Sequence, residues 1–312
     1  MSFRRACASF VLIAASATAC VRAEPAQTTR VAPKVEPAHT LSPAVSVKVT
    51  VLPTVATPPT EPAPPPSEPP RPPWPPSPPG IASSFCLDGV MDTLAEDACY
   101  VLPERPTTTL LIYLPGLMPP GPESPEKRGV ETVVANTSRR AGVAALVPRG
   151  PSRDELVAPA RDAKGLGHYR SWPTSDGAYR QHARLLVERI LAARRSLEAL
   201  IGAPFERVYL GGSSAGAYFV AHLALRGDFP ADGYAVLSGG SGRPAPHLAE
   251  LDKRPLYVGY GDGDITGPRA EEVARQARAA GWKVQVAVHH TGHGSREVYL
   301  DEAFAFFGVT RP

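Results

Sequence analysis

The sequence predicts an α/β domain built on a mostly parallel sheet with helices on both faces. Two observations predict it. From about residue 107 onward, short apolar runs alternate with longer amphipathic stretches. The runs are continuously apolar rather than alternating with polar residues, which is how a strand covered on both faces reads.

Taken in order, Thr108 to Leu114 (TTLLIYL) predicts a buried strand and Arg128 to Ala141 a helix. Val143 to Val147 predicts the next strand. Tyr179 to Ile201 predicts a long helix, because Leu186, Ile190, Ala193, Leu197 and Ile201 recur on one face, and Gly202 marks its end. Arg207 to Leu210 reads as a strand and Ala215 to Leu225 as a helix. Strands follow at Tyr234 to Leu237 and Leu256 to Tyr260. Arg269 to Ala280 is a helix ended by Gly281, Val284 to Val288 a strand, and Val298 to Phe307 the last helix. In such sheets ligands bind at the carboxyl ends of the strands, so chemistry is expected just after them. No internal repeat is visible.

The chain has 312 residues and 37 prolines, and about half of the prolines fall between Pro25 and Pro79. That segment has too few apolar side chains to offset chain entropy, and proline favours an extended conformation. Residues 21–80 therefore read as a disordered tether that could reach on the order of 150 Å. Residues 81–312 remain for one sizeable α/β domain. The formal net charge is +3 with charges mixed along the chain, so nothing favours nucleic acid as a partner.

Residues 1–20 read as an export signal. Arg4 and Arg5 precede an apolar stretch from Ala6 to Ala19 that is too short to span a bilayer, and Ala17-Thr18-Ala19 is a small-residue cleavage site. Cys20 follows directly. Small residues before a cysteine resemble a bacterial lipobox, with Ala17 at the position where leucine is usual. The expectation is a cell-envelope protein anchored to the membrane by lipid on Cys20, with simple secretion as the alternative. Cys86 and Cys99 remain in the folded part and are expected to pair in an oxidising compartment.

The segment Arg207-Val-Tyr-Leu-Gly-Gly-Ser-Ser-Ala-Gly runs strand, sharp turn, helix, and residues 212–216 match G-x-S-x-G. Such a turn lifts a serine hydroxyl above the sheet, and larger side chains two residues before or after it would collide with neighbouring backbone. Ser214 is the expected nucleophile. Ser213 does not fit this register, since Ala215 lies two residues beyond it.

A serine hydroxyl needs a base, and the base needs an orienting acid. Asp264 follows a strand within GDGDIT, and His293 follows the last strand within TGHG. Asp262 competes for the acid role, and His289 and His290 for the base; the loop positions favour Asp264 and His293. Adjacent histidines at a strand end point to opposite faces, so no metal site is expected from this cluster. Oxyanion donors are expected at the backbone N–H groups of Ala215 and Leu117, the latter in the loop Leu114-Pro-Gly-Leu after the first strong strand.

With these residues in hand, about 107 to 308 resembles the α/β-hydrolase superfamily, leaning toward small serine esterases of the carboxylesterase and polyhydroxyalkanoate-depolymerase kind. The resemblance rests on YLPG at 113–116, GGSSAG at 211–216, LSGG at 237–240, and the late GDGD and GHG. Pro115 stands where some relatives have histidine. The resemblance implies a serine hydrolase acting through Ser214, Asp264 and His293 on a small or polymeric ester, without a cofactor.

The segment 149–177 is long for a βα loop. It carries His168, Tyr169 and Trp172, and is expected to cap the site and contact substrate. Two alternatives stay open: a serine peptidase or amidase using the same residues, and a non-catalytic envelope protein that binds with a hydrolase fold.

Overall fold

The computed structural model describes residues 86–94, 98–120, 124–156 and 166–309. The expected leader, Cys20 and the proline-rich tether lie outside these residues, as does part of the 149–177 segment.

Among the described residues eight strands form the sheet: β1 (Asp92–Leu94), β2 (Ala98–Val101), β3 (Thr109–Leu114), β4 (Ala144–Pro148), β5 (Arg207–Ser213), β6 (Gly233–Leu237), β7 (Leu256–Gly261) and β8 (Val284–His289). Their spatial order is β1-β2-β4-β3-β5-β6-β7-β8. Strands β3 to β8 run parallel, while β2 is antiparallel to both of its neighbours. The helices are α1 (Pro125–Ala141), the short α2 (Arg153–Leu156), α3 (Asp176–Ile201), α4 (Ala215–Arg226), α5 (Gly267–Ala279) and α6 (Glu297–Phe306). This is an α/β architecture with a mostly parallel sheet and helices on both faces, as the sequence predicts.

The period of two along each strand divides the core. Leu110, Ile112 and Leu114 of β3 lie in the core of the sheet face that α3, α4 and α5 cover, with Leu186, Ile190, Leu197, Phe219 and Val273 buried in the same cluster. Leu111 and Tyr113 point the other way, toward Val134 of α1 and Tyr299, Leu300 and Phe304 of α6. The buried face of α3 comprises Tyr179, Ala183, Leu186, Ile190, Ala193, Leu197 and Ile201, at helical spacing. Truncating a buried leucine there, such as Leu197, should cost about 2–5 kcal/mol.

Local signals set the helix ends. Ser124 accepts the N–H of Lys127 and Pro125 opens α1, so this helix starts earlier than the apolar pattern alone indicates. Ser175 caps α3 in the same way. Gly202 ends α3 with φ of 71°, a left-handed conformation natural to glycine.

Three features depart from the sequence expectation. β1 and β2 have only 3 and 4 residues and give no run long enough to read as strands. α2 lies inside what reads as one loop. β8 is only half-buried, because it sits at the sheet edge with β7 as its neighbour. A disulfide joins Cys86 to Cys99, with Cα atoms 5.6 Å apart, and so ties the segment before β1 to β2.

Candidate active site

Parallel strands bring their carboxyl ends to one edge of the sheet. β5 ends at Ser213, and Ser214, the residue just before α4, has φ of 52° and ψ of −120°, a conformation that L-residues rarely adopt. Its N–H donates to the carbonyls of Leu237 (3.1 Å) and Ser238 (3.2 Å), so β6 holds the turn in place. The flanking glycines are required by space. A Cβ on Gly212 would lie 2.8 Å from the Leu114 carbonyl oxygen, and one on Gly216 would collide with that same oxygen.

β7 delivers Asp264 and β8 delivers His293, and the register Gly261↔His289 sets their loops side by side. The Asp264 side chain is fully buried. Its Oδ1 accepts the N–H (2.8 Å) and hydroxyl (2.7 Å) of Thr266. His293 Nδ1 lies 3.0 Å from both carboxylate oxygens, and His293 Nε2 lies 2.9 Å from Ser214 Oγ. Burial pushes the Asp264 carboxyl up, but the hydrogen bonds from Thr266 and His293 outweigh it and hold the group below its usual range. An ionised acid, an imidazole and a hydroxyl thus form one continuous line. With Nδ1 as donor to Asp264, Nε2 is left to accept from Ser214.

The competing residues are paired elsewhere. His290 Nδ1 lies 2.7 Å from Asp262 in an exposed pair, and His289 Nε2 lies 3.3 Å from Glu302 of α6. The three imidazoles therefore diverge onto three different carboxylates. Ser213 is buried and accepts a hydrogen bond from Ser295 at 2.8 Å.

Leu117 and Ala215 line one cavity of about 240 Å³, together with Arg153, Leu156, Trp172, Pro173 and Ala178 among others. Gly116 directly precedes Leu117, and a Cβ on it would come within 2.9 Å of Ser214 Cβ, so the loop after β3 abuts the nucleophile. Trp172 is buried and stacks on Phe219 of α4, with ring centroids 5.6 Å apart. His168 and Tyr169 meet edge-to-face at 5.1 Å and are not among the residues lining this cavity.

Sequence reasoning missed the residues that support this line. Thr266 sits two positions after Asp264, the spacing of an Asx turn, and that signal was available. Ser238, also at positive φ (49°), donates to the Gly294 carbonyl at 3.0 Å. Tyr113 meets Ser295 at 2.7 Å in the interior. A tyrosine in a strand buried on both faces must find a partner for its hydroxyl, but the sequence does not say which.

No family model and no curated protein matches the sequence. Several solved structures are similar. A crystal structure of esterase PE8 is 18% identical over 67% of this chain and 96% of its own, with a TM-score of 0.49. The Bacillus cereus carboxylesterase is 14% identical over 71% and 95%, with a TM-score of 0.48. Zea mays acyl-protein thioesterase 2 is 15% identical over 68% and 99%, with a TM-score of 0.49.

Proposed function

We propose that this chain is a serine hydrolase of carboxylic esters. The observation that carries the reading is the unbroken line from Asp264 through His293 to Ser214, ending on a serine at positive φ. Ser214 Oγ attacks the ester carbonyl carbon while His293 Nε2 takes its proton. Asp264, ionised and fixed by Thr266, stabilises the imidazolium. The N–H groups of Leu117 and Ala215 hold the tetrahedral oxyanion. As the C–O bond breaks, His293 returns the proton to the leaving alcohol. Water, deprotonated by His293, then cleaves the acyl-enzyme and restores the serine.

The cavity beside Ala215 supports a substrate group of modest size. Its volume of about 240 Å³ falls below that of drug-sized ligand sites, and Trp172, backed by Phe219, walls one side. Leu117, Leu156 and Pro173 make much of its lining apolar. Short esters fit this shape.

We further propose that the chain is exported and held at the membrane through Cys20. The leader and the cysteine at its end support this, and a disulfide between Cys86 and Cys99 suits an oxidising compartment.

The test is a series of p-nitrophenyl esters of increasing acyl length, run beside peptide p-nitroanilides. Short esters should be cleaved fastest, and Ser214→Ala should lower kcat by roughly 10⁶. Purified protein that cleaves only the anilides would replace the esterase reading with a peptidase one. Protein that cleaves neither would remove the enzyme reading.

A further inference from the structure

Trp172 lines both the cavity beside Ala215 and a second, larger one of about 530 Å³. This second cavity lies at the end of β4, where Pro148 and Arg149 meet Arg189 of α3, Arg170 and Glu155. Among the described residues three guanidinium groups line it with one carboxylate, Glu155, on which Arg170 and Arg189 both act through their charge, so the arginines outnumber it. Glu155 Oε1 accepts the N–H (3.1 Å) and the hydroxyl (2.7 Å) of Ser152. Arg170 Nε is buried with no hydrogen-bond partner among the described residues. A buried donor without an acceptor is costly, and a guanidinium fork fits carboxylate or phosphate oxygens in pairs.

The cavity is coupled to the proposed active site through backbone. Arg170 and Met118 exchange both of their hydrogen bonds, at 2.8 and 2.9 Å. Met118 directly follows Leu117, the proposed oxyanion donor. A ligand group held by Arg170 and Arg189 would thus sit one backbone pairing away from the loop that abuts Ser214.

We propose that this cavity binds an oxyanion (carboxylate, phosphate or sulfate) carried by the substrate, so that acidic esters are the preferred substrates. The inference rests on the ester-hydrolase reading of Ser214. The acidic group lodges between Arg170 and Arg189 while the ester reaches past Trp172 to the nucleophile.

The experiment compares two chromogenic esters of equal chain length: a neutral p-nitrophenyl alkanoate and the mono-p-nitrophenyl ester of a dicarboxylic acid. Ionic strength is held constant with sodium chloride. In the wild type the ratio of kcat/KM for the acidic ester to that for the neutral one should exceed one. In Arg189→Gln, whose side chain is exposed on α3, that ratio should fall about tenfold, the loss of one charge-assisted contact. Inorganic phosphate should compete with the acidic ester more strongly than with the neutral one. An equal ratio in wild type and variant overturns the proposal. So does phosphate that accelerates the neutral ester without competing with the acidic one, which would make the site a receptor for free anions. Calorimetric titration of phosphate into Ser214→Ala, repeated with Arg189→Gln added, separates the two readings. Binding lost with Arg189 supports the cavity even if neither ester is cleaved, whereas absence of binding in both counts against the cavity alone.

Discussion

Ser295 donates its hydroxyl to Ser213 at 2.8 Å, joining the residue before the proposed nucleophile to the residue two beyond the proposed base. Tyr113 Oη lies 2.7 Å behind Ser295. Burial pushes the Tyr113 phenol up, so it stays protonated and can donate. From the other side, Ser238 holds the Gly294 carbonyl at 3.0 Å. The loop bearing His293 is therefore latched from behind by hydroxyls of β3, β5 and the turn after β6.

The latch should act on kcat. In Ser295→Ala and Tyr113→Phe, kcat is expected to fall on the order of tenfold to a hundredfold with KM little changed, because the imidazole loses its alignment with Ser214. Steady-state kinetics on a short ester check this. Equal kcat in wild type and both variants would show that the chain of hydroxyls only fills space.

Asp264 and Asp262 are two residues apart and should behave very differently. Asp264→Asn removes the ionised acceptor that fixes His293, and kcat should drop by roughly 10³–10⁴. Asp262 pairs with His290 in solvent, and Asp262→Asn should leave kcat within about threefold, as expected of an exposed pair. A reversed result in the same assay would transfer the acid role to Asp262.

The Cys86–Cys99 bond closes a separation of 13 residues. It should stabilise the fold by roughly 3 kcal/mol through the unfolded chain. Reduction is expected to lower Tm by about 5–10 °C for a domain of this size. Alkylation followed by mass measurement, with and without reductant, checks the pairing, and two freely alkylated thiols in unreduced protein would refute it.

His222 of α4 should make stability depend on pH. It is 1% exposed, and burial pushes its pKa down to about 4, with Asp176 opposing the shift and Arg226 adding to it. The Tyr179 ring stacks on it at 4.8 Å. Below about pH 6.5 the unfolded histidine takes up a proton that the folded one refuses until about pH 4. Unfolding therefore binds a proton across that window, and stability falls as pH falls, by up to about 3 kcal/mol at its lower end. Denaturant melts from pH 7 to 4 should show a shallower loss in His222→Phe than in the wild type. Parallel slopes would mean that His222 protonates freely in the fold.

The legible parts of the molecule are those where a local pattern decides the outcome. The buried stripe of α3 follows from helical periodicity, and the turn at Ser214 from glycines that no other residue could replace without collision. β1 and β2 were illegible because strands of 3 and 4 residues exist only through pairing with β4 and with each other. The latch was illegible for a related reason: Tyr113 and Ser295 lie 182 positions apart, and nothing near either names the other. The roles of His168 and Tyr169 were inferred from position in a long segment, and their neighbour Trp172 is the one that lines the cavity beside Ala215.

Covalent labelling with a fluorophosphonate, followed by peptide mapping, tests most directly whether Ser214 is the nucleophile. Such a probe needs an activated serine, a base and an oxyanion site together. A single adduct on Ser214 is expected, abolished in both Ser214→Ala and His293→Ala. An adduct on Ser213, or intact protein that cleaves esters while Ser214 stays unlabelled, would contradict it.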